Sequence, residues 1–174
     1  MLKSYMHKLS SFFVLLFWGV LIANEPNLAI LQSVISNDTQ KFSQKMSHFI
    51  CKPYGVVTLE KLYNTSAIDS LCRKSVESLY AQDPNIRYFS LRLLKPMQTY
   101  HVEFQEKSCV LYANGEKTLS ELLLAEGLAF IKPAFGDDVF NAVFSKAQMA
   151  AKLSKKGLWR ENILKECMVE LYKE

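Results

Sequence analysis

Apolar residues in the first part of the chain recur every three to four positions, which is the spacing of one helix face. The pattern covers residues 27–50 and consists of Leu28, Leu31, Ile35, Phe42, Met46 and Ile50. The polar triplet Asn37-Asp38-Thr39 interrupts it and supplies side chains that cap helices. The pattern therefore predicts two helices, with the triplet capping the second one.

The next apolar patterns are shorter and are separated by turn residues. Residues 56–63 (VVTLEKLY) fit a short strand and a helical turn equally well. The Asn64-Thr65-Ser66 triplet offers N-cap side chains for a helix over residues 67–81, which Asp83-Pro84-Asn85 ends. A further short helix is predicted from the positions Ile86, Phe89 and Leu93.

Alternation replaces the helical spacing after Pro96. Residues 97–104 (MQTYHVEF) alternate polar residues with β-branched and aromatic ones, and residues 109–113 (CVLYA) form a second apolar run. The two are expected to pair as a hairpin. Asn114-Gly115 is a turn signal that follows the second strand.

Two helices with defined ends are predicted in the C-terminal half. Thr118 and Glu121 form a capping box at the start of the first helix, and Gly127 is expected to end it in the left-handed conformation. Asp137 and Asp138 open the second helix, where negative charge is favourable. Gly157 is expected to close this second helix.

The N-terminus has the pattern of a targeting segment. A short basic start precedes the unbroken apolar run of residues 12–23 (FFVLLFWGVLIA), which suits a signal-peptide core and is short for a membrane span. Leu21-x-Ala23 places a small residue at a cleavage position. We expect a signal peptide over residues 1–23 and a periplasmic or secreted protein. An inner-membrane anchor formed by residues 12–23 is the alternative.

Charge and composition favour no particular partner. Hydrophobic residues make up 49% of the chain, which is enough for a core, and the formal net charge is +4. The charge falls to +2 once Lys3 and Lys8 are removed with the first 23 residues. Such a balance does not by itself predict a nucleic-acid partner, because phosphate binding needs a concentrated basic surface. A nucleic acid or a protein remains possible as partner, and a membrane only through an uncleaved N-terminus.

All four cysteines lie beyond the targeting segment, at Cys51, Cys72, Cys109 and Cys167. An even number in an exported chain predicts two disulfides, and four cysteines allow three pairings. The preferred pairing is Cys51 with Cys72 and Cys109 with Cys167, because the first would tie neighbouring segments. A zinc site is disfavoured, because the chain has no C-x-x-C pair and its three histidines are scattered.

Residues 97–160 resemble the staphylococcal-nuclease (thermonuclease-like) family. The matching residues begin at Tyr112-Ala113-Asn114-Gly115, Leu119-x-x-x-Leu123 and Glu126-Gly127-Leu128-Ala129. They continue with Ala147, Ala150-Ala151-Lys152 and Gly157-Leu158-Trp159. The resemblance implies an α+β fold with an OB-type β-barrel or partial barrel and packed helices. It divides the mature chain into a divergent segment (residues 24–66) and a nuclease-like domain (residues 67–174).

The resemblance also implies the chemistry of the family's active members, which hydrolyse phosphodiester bonds, usually with calcium. They use an Asp-Gly-Asp-Thr-like turn, an Arg-x-x-x-Ile-Asp-x-Pro-Glu segment and a second arginine before the fifth strand. This chain has no Asp-x-Pro-Glu segment. Asn37-Asp38-Thr39 is its only partial match to the Asp-Gly-Asp-Thr-like metal turn. Glu106 or Lys107 stands where the second arginine is expected.

No catalytic residue and no metal ligand can be assigned from these motifs. The candidates for weak contact with nucleic acid are Arg87, Arg92 and Lys107. We therefore expect an exported binding or structural module that has lost catalysis and needs no cofactor. The alternative is an active phosphodiesterase acting on DNA or RNA, and only that alternative requires calcium.

Overall fold

The structure is a computed structural model that describes residues 27–105, 107–160 and 163–171. The predicted signal peptide or anchor over residues 1–23, its cleavage at Ala23, and Glu106 lie outside the described residues. Of the helices within the described ranges, none is both long and apolar enough to span a bilayer.

The first part of the chain forms three antiparallel strands, so the prediction of two helices is wrong. They are β1 (Leu28–Val34), β2 (Gln40–Gln44) and β3 (Ser47–Cys51). Ala29 and Leu31 of β1 and Phe42 of β2 point into the core, whereas Leu28 and Met46 are exposed. Apolar residues on both faces of a strand obscure the two-residue alternation, and this produced the misleading helical spacing.

These strands join a six-stranded antiparallel sheet with β5 (Thr99–Gln105), β6 (Ser108–Asn114) and the short β7 (Lys117–Thr118). The strand order is β3-β2-β1-β5-β6-β7. The predicted hairpin is confirmed, with Val102 opposite Leu111 and Phe104 opposite Cys109. The fold is therefore α+β, and its sheet does not form a closed barrel within the described residues.

The outer edge of β3 nevertheless returns to β6 at one point. The Cys109 N–H donates to the Lys52 carbonyl at 2.9 Å, and the Tyr54 N–H donates to the Cys109 carbonyl at 3.2 Å. This is a parallel bridge between Pro53 and Cys109. The sheet is consequently curved enough to bring together two strands that are not neighbours in its order.

One strand, three α-helices and a 3₁₀ helix connect β3 to β5. β4 (Val56–Thr58) is followed directly by α1 (Leu59–Thr65), so residues 56–63 are a strand and then a helix. The Thr58 hydroxyl caps α1 by accepting the Lys61 N–H at 3.1 Å. α2 (Leu71–Gln82) is capped by Ser70, four residues beyond the expected triplet. A 3₁₀ helix (Pro84–Tyr88) and α3 (Phe89–Leu93) complete this part.

The C-terminal half adds one strand and three helices to the fold. It contains α4 (Leu119–Ala125), β8 (Ala129–Ile131), which pairs with β4, α5 (Asp138–Leu153), a 3₁₀ turn (Gly157–Trp159) and α6 (Ile163–Leu171). Both predicted N-terminal caps are confirmed. The Thr118 hydroxyl accepts the Glu121 N–H at 3.1 Å, and Asp137 accepts the first amides of α5.

Gly127 and Gly157 meet each other across these helices. Gly127 ends α4 with φ +67°, and the Leu128 N–H reaches back to the Leu123 carbonyl at 2.8 Å, as in a Schellman motif. Gly157 does not close α5, contrary to prediction, because Lys155 takes the left-handed position there with φ +50°. The Gly157 backbone instead packs directly on that of Gly127.

The disulfides pair differently from the preferred pairing. Cys51 bonds to Cys109 and Cys72 bonds to Cys167, with Cα atoms 5.5 Å and 4.5 Å apart. The Cys51–Cys109 bond forms where the chain after β3 pairs with β6, and the Cys72–Cys167 bond forms where α6 packs on α2. Nearness in sequence misled the prediction, because neither contact is local. Two disulfides indicate an oxidising, non-cytoplasmic compartment.

Candidate functional site

Polar side chains from three separate segments converge at the β1–β2 turn. They come from that turn, from the junction of β4 and α1, and from the 3₁₀ helix that precedes α3. We call this group the turn cluster, and its members are Ser36, Asn37, Asp38, Thr58, Glu60 and Arg87. Asn37-Asp38-Thr39 therefore lies in a strand connection and does not cap a helix, which corrects the sequence-based expectation.

Asn37 holds the three segments together. Its side chain is buried, with 3% of its surface exposed. Its Nδ2 donates to the Ile86 carbonyl at 2.8 Å, and its Oδ1 accepts the Ser90 N–H at 2.8 Å. Its backbone N–H donates to Glu60 Oε2 at 3.0 Å. Because every polar group of a buried amide needs a partner, Asn37 fixes the position of the turn relative to the helices.

Asp38 is bonded to the cap of α1. The Thr58 hydroxyl donates to Asp38 Oδ1 at 2.7 Å while it accepts the Lys61 N–H. The hydroxyl thus acts as donor and acceptor at once, and Thr58 is buried. One oxygen of the Asp38 carboxylate is therefore already engaged inside the protein.

Glu60 has a pKa raised above its ordinary value. Burial is the largest cause, and the neighbouring Asp38 carboxylate raises the pKa further. Hydrogen bonds from the Asn37 N–H and the Ser36 hydroxyl, together with the charge of Arg87, lower it. The net direction is upward, so the hydrogen bonds and the nearby cation do not fully replace the lost hydration of this carboxylate.

Arg87 and Tyr80 border the cluster. The Arg87 guanidinium lies over the Tyr80 ring, 5.4 Å from its centroid. The pKa of Tyr80 is raised strongly, first by burial and then by the negative charge of Glu60. The phenol therefore stays neutral across the physiological range.

The chemistry open to the turn cluster follows from this inventory. It has two carboxylates, one cation and several hydrogen-bond donors. Among residues 27–105, 107–160 and 163–171, no three His, Cys, Asp or Glu side chains lie together as a metal-binding group. Calcium takes six to eight oxygen ligands, so Asp38 and Glu60 supply too few by themselves.

The structure places Lys107 apart from the other two predicted nucleic-acid contacts. Arg87 belongs to the turn cluster, and Arg92 lies on α3 with its Nη2 donating to the Asn85 carbonyl at 3.1 Å. Lys107 is exposed in the turn between β5 and β6. β5 and β6 are antiparallel to each other and β5 to β1, so that turn lies at the opposite end of the sheet from the β1–β2 turn. A role of these residues in nucleic-acid contact stays a prediction.

Asp38 and Glu60 were not identified together from the sequence. They are separated by the whole of β2, β3 and β4 and share no recognisable motif. The helical interpretation of residues 27–50 also placed Asp38 on a helix cap. The only signal was Glu60, two residues after Thr58 at a helix start, and acidic residues are common in a first helical turn.

Comparison with known proteins adds no family to these observations. No protein-family model matches the chain, and no curated protein matches it significantly.

Proposed function

We propose that this chain is an exported α+β module of the staphylococcal-nuclease type that binds a partner and has lost catalysis. The turn cluster carries this proposal. Its two carboxylates are engaged by the protein itself, Asp38 by Thr58 and Glu60 by the Asn37 N–H. Calcium takes six to eight oxygen ligands, of which these two carboxylates supply too few.

The sequence around Glu60 supports the loss of catalysis. The chain has no Asp-x-Pro-Glu segment, and Glu60 is preceded by Val57-Thr58-Leu59, with no aspartate or proline. Val57 is buried in the core, so it offers no oxygen to a metal.

The sheet topology supports the finer assignment of the fold. A five-strand order of β3-β2-β1-β5-β6, with a parallel contact from β3 to β6, is the arrangement of a partly open OB-type barrel. The resemblance in residues 97–160 implied that barrel. The three N-terminal strands supply the half that the sequence left undecided.

An active phosphodiesterase is the second candidate, and one observation favours it. Asp38, Glu60 and Arg87 come together although they are far apart in sequence. A carboxyl group with a raised pKa suits proton transfer, and an arginine suits phosphate charge.

A cleavage assay separates the two candidates. The oxidised protein beginning at Asn24 would be incubated with DNA and RNA, in calcium and in chelator, beside the variants Asp38→Asn and Glu60→Gln. We expect no cleavage that depends on calcium. Glu116→Gln, at an exposed turn, is the matched control. Calcium-dependent cleavage that Glu60→Gln abolishes and Glu116→Gln retains would overturn the proposal.

Binding is tested separately with single-stranded oligonucleotides at several salt concentrations. If nucleic acid is the partner, log K falls linearly with log salt, and replacing one contacting cation reduces the slope by about 1. We expect this reduction for Arg87→Gln and not for Lys74→Gln, an exposed lysine on α2. Absence of salt-dependent binding would assign the module to a partner other than nucleic acid.

A further inference from the structure

The helix α5 has two apolar faces, one buried and one exposed. Its inner face carries Phe144, Ala147 and Ala151, which are buried. The second face runs along the whole helix, a little more than a third of a turn from the inner face. We call it the outer stripe, and its members are Val139, Ala142, Val143, Lys146, Met149, Ala150 and Leu153.

The outer stripe is exposed at each of its seven positions. Val139 and Leu153, at its two ends, are 77% and 79% exposed, and Val143 and Met149 are 43% and 55% exposed. No other helix or strand in the described part of the chain exposes more than two large apolar side chains. A continuous apolar surface of this kind indicates contact with another molecule.

The outer stripe has the seven-residue spacing of a coiled-coil seam. In a heptad written abcdefg, Val139, Lys146 and Leu153 occupy the a positions, and Ala142 and Met149 occupy the d positions. A free-standing coiled coil usually extends over about three or four heptads, because its helices have to form as they pair. The fold already holds α5 as a helix, so a shorter stripe can pair without that cost.

The charges beside the outer stripe fit pairing with a second copy of α5 that runs in the opposite direction. Asp138 and Lys152 both occupy g positions, at opposite ends of the helix, and both are exposed. The Lys152 ammonium lies 4.5 Å from the centroid of the Trp159 ring, which holds it at this end of the helix. The g positions of two antiparallel helices lie beside each other, so Asp138 of each copy meets Lys152 of the other. A parallel pair gains no such bridge.

Lys146, the third charged residue of α5, specifies the register of such a pair. In the register that joins Asp138 to Lys152, Lys146 lies beside Ala142 of the second copy and not beside the second Lys146. Its methylene stem can cover the small alanine while its ammonium group stays in water. A single lysine at an a position lowers the stability of a coiled coil but fixes its register and its number of strands.

From these observations we infer that α5 pairs with α5 of a second copy of this chain, antiparallel and about a two-fold axis beside Ser145. Such a pair is isologous, because the same stripe serves on both copies. One helix face about 24 Å long buries less than the roughly 800 Å² per partner of a standard interface. The dimer is therefore weak and dissociates on dilution. The inference does not depend on whether the turn cluster binds or cleaves a partner.

The test cross-links single cysteines that are introduced into the full chain. The four native cysteines are joined in two disulfides, so an introduced cysteine is the only thiol that a short bis-maleimide can alkylate. Ser145→Cys lies at the two-fold axis. Val139→Cys lies about 15 Å along the helix from its counterpart in the antiparallel pair, but beside it in a parallel pair. Ile68→Cys is the matched control, because Ile68 is 78% exposed and lies outside α5.

We expect Ser145→Cys to give a cross-linked dimer whose yield falls on dilution. Val139→Cys should cross-link with Met149→Cys in a mixture of the two proteins but not with itself, and Ile68→Cys should give no dimer. Absence of the Ser145→Cys dimer at every concentration would overturn the inference. So would a Val139→Cys self-link as strong as that of Ser145→Cys, because it would show a parallel pair.

Substitutions added to Ser145→Cys test the two parts of the interface. Met149→Glu should lower the yield of dimer about tenfold, because it places a charge in the apolar seam. Leu71→Glu, at a position of α2 that is 67% exposed, should leave the yield unchanged. Circular dichroism checks that each variant keeps the fold, and equal yields from Met149→Glu and Leu71→Glu would overturn the inference.

A charge exchange tests the direction of pairing without changing the apolar seam. Asp138→Lys and Lys152→Asp should each lower the yield of the Ser145→Cys dimer about threefold, because each places like charges together. The two substitutions combined should restore it, since the bridges then re-form with their charges exchanged. A combined variant that dimerises no better than either single variant would overturn the antiparallel arrangement.

Discussion

Two glycines from distant segments fix the packing of the C-terminal half at the level of single residues. A methyl group at Gly127 would lie 2.2 Å from the Lys156 carbonyl oxygen, and one at Gly157 would lie 2.2 Å from the Gly127 carbonyl oxygen. Both residues also have positive φ. The Leu158 N–H donates to the Gly127 carbonyl at 2.8 Å, which ties the two Gly-Leu pairs together. The sequence showed both glycines but not that they touch.

Substitution of Gly127 by alanine is expected to destabilise the protein by about 3 kcal/mol or more, because backbone strain adds to a clash with a main-chain oxygen. Urea unfolding measures the loss. Gly136→Ala is the control, since Gly136 has no atom within 4 Å of the added methyl group. A loss for Gly127→Ala as small as that for Gly136→Ala would contradict the close packing.

Glu60 gives the protein a specific dependence of stability on pH. Its pKa in the folded state is above its ordinary value of 4.5, so the folded protein binds more protons than the unfolded chain between these two values. The free energy of unfolding must then fall as pH rises from about 4.5 through the raised pKa. Glu60→Gln removes this contribution and keeps an oxygen for the Asn37 N–H.

We therefore expect Glu60→Gln to gain stability relative to the native protein between pH 4 and pH 7, as measured by urea unfolding at each pH. Glu116→Gln, which is exposed, should show no such gain. A difference between Glu60→Gln and the native protein that stays constant with pH would show that Glu60 titrates alike in the folded and unfolded states.

At the level of elements, the sequence predicted best where local chemistry decides the structure. The Thr118 cap, the Gly127 stop and the hairpin of β5 and β6 each depend on residues within a few positions of one another. The three N-terminal strands depend on partners far away, such as Ala29 beside Tyr100 and Cys51 beside Cys109. Leu28, Ile35 and Met46 are apolar but exposed, so their positions carried a false helical pattern. The turn cluster could not be predicted because it depends on those same strands.

The two disulfides act on different elements. Cys51–Cys109 ties the end of β3 to β6, whereas Cys72–Cys167 ties α6 to α2. Proteolysis without reduction, followed by mass spectrometry, should recover peptides that join Cys51 to Cys109 and Cys72 to Cys167. A peptide that joins Cys51 to Cys72 would contradict the fold, because β3 and α2 would then have to be adjacent.

Removal of the second disulfide should release α6 first. The loop that it closes spans 95 residues. We expect the double substitution Cys72→Ala and Cys167→Ala to lower the free energy of unfolding by about 4 kcal/mol. Amide exchange in residues 163–171 should accelerate more than exchange in β1. Equal acceleration of amide exchange in α6 and in β1 would show that the disulfide does not stabilise α6 more than the rest of the fold.

The whole molecule is an α+β scaffold with two disulfides, and the polar groups of its turn cluster bond to one another. The resemblance to the nuclease family rests on helix caps, glycines and apolar stripes, which are features of folding. Asp38, Glu60 and Arg87 are the residues on which the phosphodiesterase alternative depends. Two of these, Asp38 and Glu60, each already accept a hydrogen bond inside the cluster.

Calcium titration of the ¹⁵N-labelled oxidised protein, followed by NMR, tests this claim most directly. Extracellular calcium modules have dissociation constants as high as about 1 mM. Titration to about 10 mM therefore covers the weakest of them. We predict that the amide signals of Asn37, Asp38 and Glu60 show no saturable shift over this range. A saturable shift centred on these amides and absent in Glu60→Gln would contradict the account, because it would show that the cluster holds a metal ion.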